Sequence, residues 1–287
     1  LGISHIYSSP ILKARAGSTH GYDVVDPTQV NPELGGEQAL EELVAELRRH
    51  GMGLIVDMVS NHMAVGRDDN PWWLDALKWG AKSRYAKFFD IQWNSPDPLL
   101  KGQLLVPFLR THYGEVLAAG EITLHFNENT GEFYARHFDH YFPLCPASYS
   151  QILYTSPDPV LQAFAQPFAA LETSVKGWEA AEPLHKQLAD ALREPAQQAS
   201  VAEVLALFTA EPPTPDDPEN TRAQEQLDRL HHLLELQYYR LASWRTAADD
   251  INWRRFFDVN ELGALRVERQ EVFEAIHSKI FELISRG

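Results

Sequence analysis

Cysteine is almost absent: Cys145 is the one thiol in 287 residues. That excludes an internal disulfide and any metal site built on cysteine pairs, and it points to a reducing, cytoplasmic setting. Positive charge is also scarce. A net charge of −15 argues against nucleic acid or an anionic membrane as partner. No run of about twenty apolar residues suggests a membrane span, and no signal-peptide pattern occurs. A glycine-rich phosphate loop, a Gly-x-Ser-x-Gly elbow, paired Cys-x-x-Cys motifs, zinc-type HExxH spacing and an internal repeat are missing too. No metal or cofactor is therefore expected. The chain has no initiating Met, opening at Leu1 on a strand-like run and stopping at Arg286-Gly287 where a helix ends. Both ends are expected to be cut from something longer.

Aromatic side chains are plentiful, with seven Trp and ten Tyr beside twelve His. Such rings stack on the apolar faces of sugars, and a neutral sugar is indifferent to the negative charge, although core packing accounts for most aromatics.

The stretch from Gly53 to His62 stands out. Leu54, Ile55 and Val56 form a continuous apolar run, the mark of a strand buried on both faces. Asp57, Asn61 and His62 follow its end, where parallel α/β folds place their working groups. An edge strand with a solvated loop is the alternative. Upstream, Ile3 to Tyr7 reads as a strand ended by Ser8, Ser9 and Pro10, and His20 to Pro27 reads as a loop. From Glu37 to His50 the spacing of Leu40, Leu43, Val44 and Leu47 predicts a helix, with Gly51 as its C-terminal cap. Strand, helix and strand make a βαβ unit with parallel strands.

Downstream, Pro71 to Trp79 predicts a helix, with Ser83 to Phe89 as another, and Leu104 to Leu109 a short strand. Glu121–Phe126 and Glu132–Phe138 flank Asn127–Gly131 as a β-hairpin. From Pro146 onward the chain reads mainly as helix. One apolar stripe holds Leu161, Phe164, Phe168 and Leu171; another holds Val201, Val204, Leu205 and Phe208. Pro212, Pro213, Pro215 and Pro218 mark an extended linker over 210–219. Leu227, Leu230, Leu234 and Leu241 are expected on one face of a long helix, and Phe273, Ile276, Ile280, Leu283 and Ile284 on a last one over Val267–Ser285.

Three clusters carry polar groups suited to chemistry. Asp57 can accept hydrogen bonds from sugar hydroxyls and a neutral His62 can donate one, though a strand-end turn and a capping histidine explain the same residues. His20-Gly21-Tyr22-Asp23 follows the first strand, so Tyr22 can face the same opening, or else pack in the core beside a tight turn. Trp253-Arg254-Arg255-Phe256-Phe257-Asp258 joins charge to aromatics, which suits either substrate contact or a buried ion pair.

Asp57-Met58-Val59-Ser60-Asn61-His62 is similar to the first signature region of the α-amylase superfamily of glycoside hydrolases. His20-Gly21-Tyr22-Asp23-Val24 resembles the preceding stretch that supplies a stacking tyrosine. Within the superfamily the chain resembles the maltooligosyltrehalose synthases. The markers are Ile3–Pro10, Asp26-Pro27-Thr28, Asn31–Gly36, Tyr239-Arg240-Leu241-Ala242 and, most specifically, Ile251–Leu262, with Trp253 where a tyrosine is expected.

The resemblance implies an incomplete (β/α)8 barrel holding its second and third strands, with a large, mostly helical insertion containing a β-hairpin. Residues 1–66 would be the partial catalytic barrel, 67–250 the insertion and 251–287 the return. It implies a retaining rearrangement of the reducing-end α-1,4 linkage of a maltooligosaccharide to an α,α-1,1 linkage. Tyr22 and His62, with His20 and Asp23, would touch the sugar, while Asp57 and Asn61 support the site. Arg254, Arg255, Phe257 and Asp258 would shape the reducing-end pocket. The nucleophile and the acid/base would lie beyond Gly287, so the chain alone is expected to be inactive and to need the rest of its barrel. An α-1,4-glucan hydrolase or other transglycosylase, and a non-catalytic glucan-binding module, are the competing readings.

Overall fold

The computed structural model describes residues 2–100, 102–209 and 221–286, so the proline-rich stretch at 210–219 lies outside the described residues. Strand β1 (His5–Ser8) leads through β2 (Leu12–Ala14) and β3 (Val24–Val30) to helix α1 (Gly36–Arg49) and strand β4 (Gly53–Val56). β1 and β4 run parallel, from His5 opposite Gly53 to Ser8 opposite Val56, with α1 between them in sequence as the pattern predicts. Gly51 takes a left-handed φ of 64° just past the helix, the backbone that a C-terminal glycine supplies. Gly53 is required for a different reason: a β-carbon there would come within 2.6 Å of the His5 ring.

Two expectations fail in this part. β4 is not buried on both faces; Ile55 is 49% exposed, because β1 alone pairs with β4 and α1 packs only on the side of Leu54 and Val56. Nor is the whole His20–Pro27 stretch a loop, since β3 begins at Val24 and pairs antiparallel with β2. Val24 and Val25 are buried and drive the strand, and Pro27 is tolerated where the register with β2 shifts.

After β4 come β5 (His62–Ala64), α2 (Pro71–Trp79), β6 (Leu104–Leu109) and α3 (Tyr113–Ala118). Asn70 caps α2 by accepting from the Trp72 and Trp73 N–H groups, with Pro71 at the first helical position. Ser83 to Phe89 forms turns instead of the expected helix, the Ser83 hydroxyl accepting from the Tyr85 N–H and donating to Asp75. The predicted hairpin is β7 (Thr123–Asn127) with β8 (Glu132–His137), and β9 (His140–Pro143) adds a third strand.

Helices α4 (Tyr149–Leu153), α5 (Pro159–Ala169), α6 (Val175–Ala191), α7 (Pro195–Ala206) and α8 (Thr221–Glu235) follow. Leu241 does not continue α8. It lies in β10 (Tyr239–Ser243), parallel to β6, where Tyr239, Leu241 and Ser243 alternate inward with the period of a strand. The chain closes with β11 (Arg255–Phe256), β12 (Val259–Ala264) and α9 (Gln270–Ser285).

The main core joins the stretch after β5 to the returning chain: Trp73 packs on Phe89 and Trp253, and Val272 and Ile276 of α9 are fully buried in the same cluster. Asn252 pins the return by accepting from the Leu105 N–H and donating to the Gln92 and Gln103 carbonyls. A smaller cluster of Leu12, Val24 and Val59 receives Ile280 of α9. Around α1, β4 and α9 the apolar stripes are only half covered. Leu43, Phe273 and Ile284 are exposed, and an open groove of 700 Å³ runs between Leu40, Val44, Leu54, Ile280 and Leu283. No described helix is long and apolar enough to cross a membrane.

Candidate sugar-facing site

The parallel pair ends at one edge, and the polar groups gather there. The Asp57 N–H donates to the Ser8 carbonyl, which extends the β1–β4 ladder by one step and fixes the carboxylate beyond the strand. Both Tyr22, at 2.6 Å, and Tyr7, at 2.7 Å, donate their hydroxyls to the same Asp57 oxygen, Oδ2. These bonds, Tyr22 first, hold the carboxyl pKa below its ordinary value, and the carboxylate in turn raises both phenols. Asp57 is thus an ionised brace, and a group held ionised cannot serve as a general acid near neutral pH.

Tyr22 is delivered by the β2–β3 loop. Gly21 has φ 80°, and a β-carbon there would meet the Pro10 carbonyl oxygen at 2.5 Å, so the loop's approach to the chain at Pro10 needs glycine. The Tyr22 ring is 41% exposed, with its hydroxyl tethered. His20 lies beside it, accepting the Tyr22 N–H at Nδ1, with ring centroids 5.9 Å apart. Asp23 turns back into its own loop, bonded by the Ser18 hydroxyl and 3.8 Å from His20.

His62 is buried beneath this edge. Its Nδ1 lies 2.8 Å from the Asn61 side-chain oxygen position and its Nε2 lies 3.1 Å from the Tyr22 carbonyl. Burial lowers its pKa, opposed by the Tyr22 carbonyl. A neutral ring has one N–H, so both contacts are satisfied when Nε2–H donates to Tyr22 and the Asn61 amide turns its NH2 toward Nδ1. Both nitrogens are therefore engaged within the protein.

The third cluster comes near through β12, whose Ala264 pairs opposite His62. Phe256 stacks on His62 at 3.9 Å and 21°. The expected alternative of a buried ion pair does not form here. Arg255 is largely covered, donating to Asn260 at 2.5 Å and to the Asp258 carbonyl at 3.2 Å, while the Asp258 carboxylate is fully exposed, 3.8 Å away. Arg254 points outward to Asp90 at 3.2 Å, and Phe257 is 80% exposed. Tyr7 is not among the site residues singled out from the sequence, and Phe256, part of the third cluster, is not placed on His62 by sequence reasoning. Tyr7 lies inside β1, opposite Ile55 and one residue before the strand ends, so the strand-end rule that singled out Asp57 does not reach it. The described residues contain no cluster of metal-ligating groups.

The family described as alpha amylase, catalytic domain, matches residues 1–144. Over 138 residues, 46% of the chain, the sequence is 50% identical to a putative maltooligosyl trehalose synthase of Mycobacterium tuberculosis, of which it spans 18%. It is similar, at 29% identity and a TM-score of 0.62, to a solved structure named DSM5389 glycosyltrehalose synthase, covering 97% of this chain and 28% of that one. A maltooligosyltrehalose synthase from Arthrobacter ramosus matches at 28% identity and a TM-score of 0.62, covering 99% of this chain and 26% of that one. The chain thus spans about a fifth of the curated relatives' length and about a quarter of those solved chains.

Proposed function

The chain belongs to the alpha-amylase catalytic-domain family, and from that premise we propose that it is part of an intramolecular transglucosylase that converts the reducing-end α-1,4 linkage of a maltooligosaccharide to α,α-1,1. The observation that carries this reading is the extent of the likeness: it runs over 97–99% of the chain in the synthase structures, through insertion and return alike. In this reading β1 and β4 are the second and third strands of a (β/α)8 barrel. Residues 1–66 belong to the barrel, 67–250 to an insertion after its third strand, and 251–287 return to it. The half-covered faces of α1, β4 and α9 then await the rest of the barrel.

The Tyr22 ring offers a face for the sugar whose bond breaks, tethered through its hydroxyl to Asp57. His62 and Asn61 work from below: His62 holds the Tyr22 backbone, and it reaches a sugar hydroxyl only by releasing one of its two present contacts. Phe257, Arg254, Arg255 and Asp258 wall the reducing-end side. Retaining chemistry uses two carboxyl groups about 5 Å apart, one as acid and one as nucleophile. In the proposed reading these come from outside the 287 residues. The freed glucose then attacks through its anomeric hydroxyl, provided that water is excluded and the glucose is held in place.

The test is to incubate the complete protein carrying this sequence with maltohexaose. Loss of reducing ends without new chain ends, with an α,α-1,1 anomeric signal by NMR, is expected. Multiplying reducing ends would establish a hydrolase instead, and an unchanged oligosaccharide that still binds would establish a glucan-binding module.

A further inference from the structure

Behind the Tyr22 loop, side chains from distant parts of the chain meet on one carboxylate. Arg15 follows β2, Arg67 and Asp69 follow β5, His140 opens β9, and Glu261 lies in β12. The Arg15 guanidinium is buried and spends its donors on three acceptors: Asp69 at 2.9 Å, the Val65 carbonyl at 2.9 Å, and Glu261. The other Glu261 oxygen lies 3.5 Å from His140 Nε2, and Arg67 approaches to 4.0 Å. The His140 ring is itself clamped flat on Phe108, at 4.8 Å and 3°. The Glu261 main chain takes part as well, its carbonyl accepting the Val65 N–H at 2.9 Å.

Arg15 is also the anchor of the loop that carries Tyr22. Its N–H donates to the Asp23 carbonyl and its carbonyl accepts from Ser18, both at 3.0 Å. The Ser18 hydroxyl then accepts the Gly21 N–H at 3.1 Å and donates to Asp23. Even with this carboxylate present the cluster is not saturated. Arg67 Nε, Asp69 Oδ1 and His140 Nδ1 are buried with no hydrogen-bond partner, and the two guanidinium groups are balanced by Asp69 and Glu261, with Asp139 3.9 Å from Arg67 at the exposed side.

We infer that Glu261 is a positioning residue for Tyr22: through Arg15 it fixes the loop from Arg15 to Asp23, and through His140 it ties that loop to the β7–β8–β9 sheet. His140, opposed by burial, and the two arginines hold the Glu261 carboxyl pushed down to about 2, so this carboxylate is ionised near neutral pH. Its consequence for turnover rests on the sugar-facing role proposed for Tyr22; its geometry does not.

The test is Glu261→Gln in the complete protein, which keeps the shape and removes the charge. Tyrosine labelled at 13Cζ reports each phenol's titration by NMR. Tyr7 shares the Asp57 oxygen with Tyr22 but stands on β1, outside the loop. The expected result is that the Tyr22 pKa falls back toward the ordinary value of 10 while Tyr7 stays raised. With maltohexaose, kcat/KM should drop about tenfold or more, mostly through KM. Unmoved titration of Tyr22 overturns the inference, and so does an equal movement of both tyrosines, which marks a general loosening. If Glu261→Gln fails to fold, Arg15→Lys tests the same tie, since it retains a cation but not the fork. If the protein does not act on maltooligosaccharides at all, the proposed function fails while the titration still decides the role of Glu261.

Discussion

His185 should make the fold sensitive to mild acid. It sits on α6 with its ring against Tyr149 and Phe168, each centroid 5.5 Å away, and 11% of its side chain exposed. Nε2 is buried without a partner and Nδ1 lies 4.0 Å from Glu132, which Lys78 already neutralises. Protonation would place a second N–H in a site with no acceptor for it. Burial first, and then Lys78, therefore outweigh the pull of Glu132 and push the imidazole down to about 4 from 6.5. Between those values the unfolded chain binds a proton that the folded chain refuses, so stability is full above pH 6.5 and declines as pH falls. The whole interval corresponds to about 3 kcal/mol, of which about 2.5 should be lost between pH 7.5 and pH 4.5. That is a large part of the 5–15 kcal/mol typical of a folded domain. Urea unfolding of the wild type and His185→Gln at the two pH values measures it. His62, His125 and His137 also have lowered pKa values, but they are common to both proteins and cancel in the comparison. An equal loss of stability in wild type and His185→Gln would refute the reasoning.

Trp253 donates its indole N–H to the Leu105 carbonyl at 2.8 Å and packs on Trp73, so Trp253→Ala should cost about 3–5 kcal/mol in urea unfolding. Trp253→Tyr should cost less, about 1–2 kcal/mol, because most of the ring contact survives. Gly21→Ala forces a side chain into a left-handed backbone against Pro10 and should destabilise by about 1–3 kcal/mol, read by thermal unfolding. Asp57→Asn should lower the pKa of both Tyr7 and Tyr22, seen in a spectrophotometric phenolate titration. In the complete protein it should slow turnover about tenfold to a hundredfold, far short of the roughly millionfold loss that follows removal of a nucleophile.

The parallel pair and its helix were legible because three signals agree: an apolar run, a helical period and a glycine cap meet within 20 residues, from Glu37 to Val56. The hairpin was legible for the same reason, its alternation being local to the turn at Asn127–Gly131. What escaped depends on partners far away in sequence. Leu241 fits the helical stripe of Leu227, Leu230 and Leu234 by spacing alone; only β6, more than a hundred residues upstream, makes it a strand residue. β9 has only four residues and β12 lacks a clear alternation, and their neighbours β8 and β5 define them. In the site, the strand-end rule found Asp57, Asn61 and His62 and placed Tyr22 near them. It could not show that Phe256 lies flat on His62, since that contact spans 194 residues and no local pattern encodes it.

The chemistry narrows further when charge is followed across the whole chain. A retaining glycosidase-type site needs one carboxyl group kept protonated, with its pKa raised by burial or by a neighbouring anion. Among the described residues, each carboxyl whose pKa departs from its ordinary value departs downward: Asp26, Glu37, Asp57, Glu121, Glu132, Asp158, Glu261, Glu268 and Glu282. Asp57 shares one oxygen between two phenols, and Asp23 is turned onto Ser18. Asp57, held ionised, has no proton to give, and Asp23 is tied into its own loop. The division of labour follows from these constraints. In the proposed reading this chain supplies an aromatic face, an ionised brace beneath it and a half-buried anion that steadies the loop between them. In that same reading, groups that cycle between charge states come from outside these residues, and the chain spans 18% of the length of the Mycobacterium tuberculosis relative.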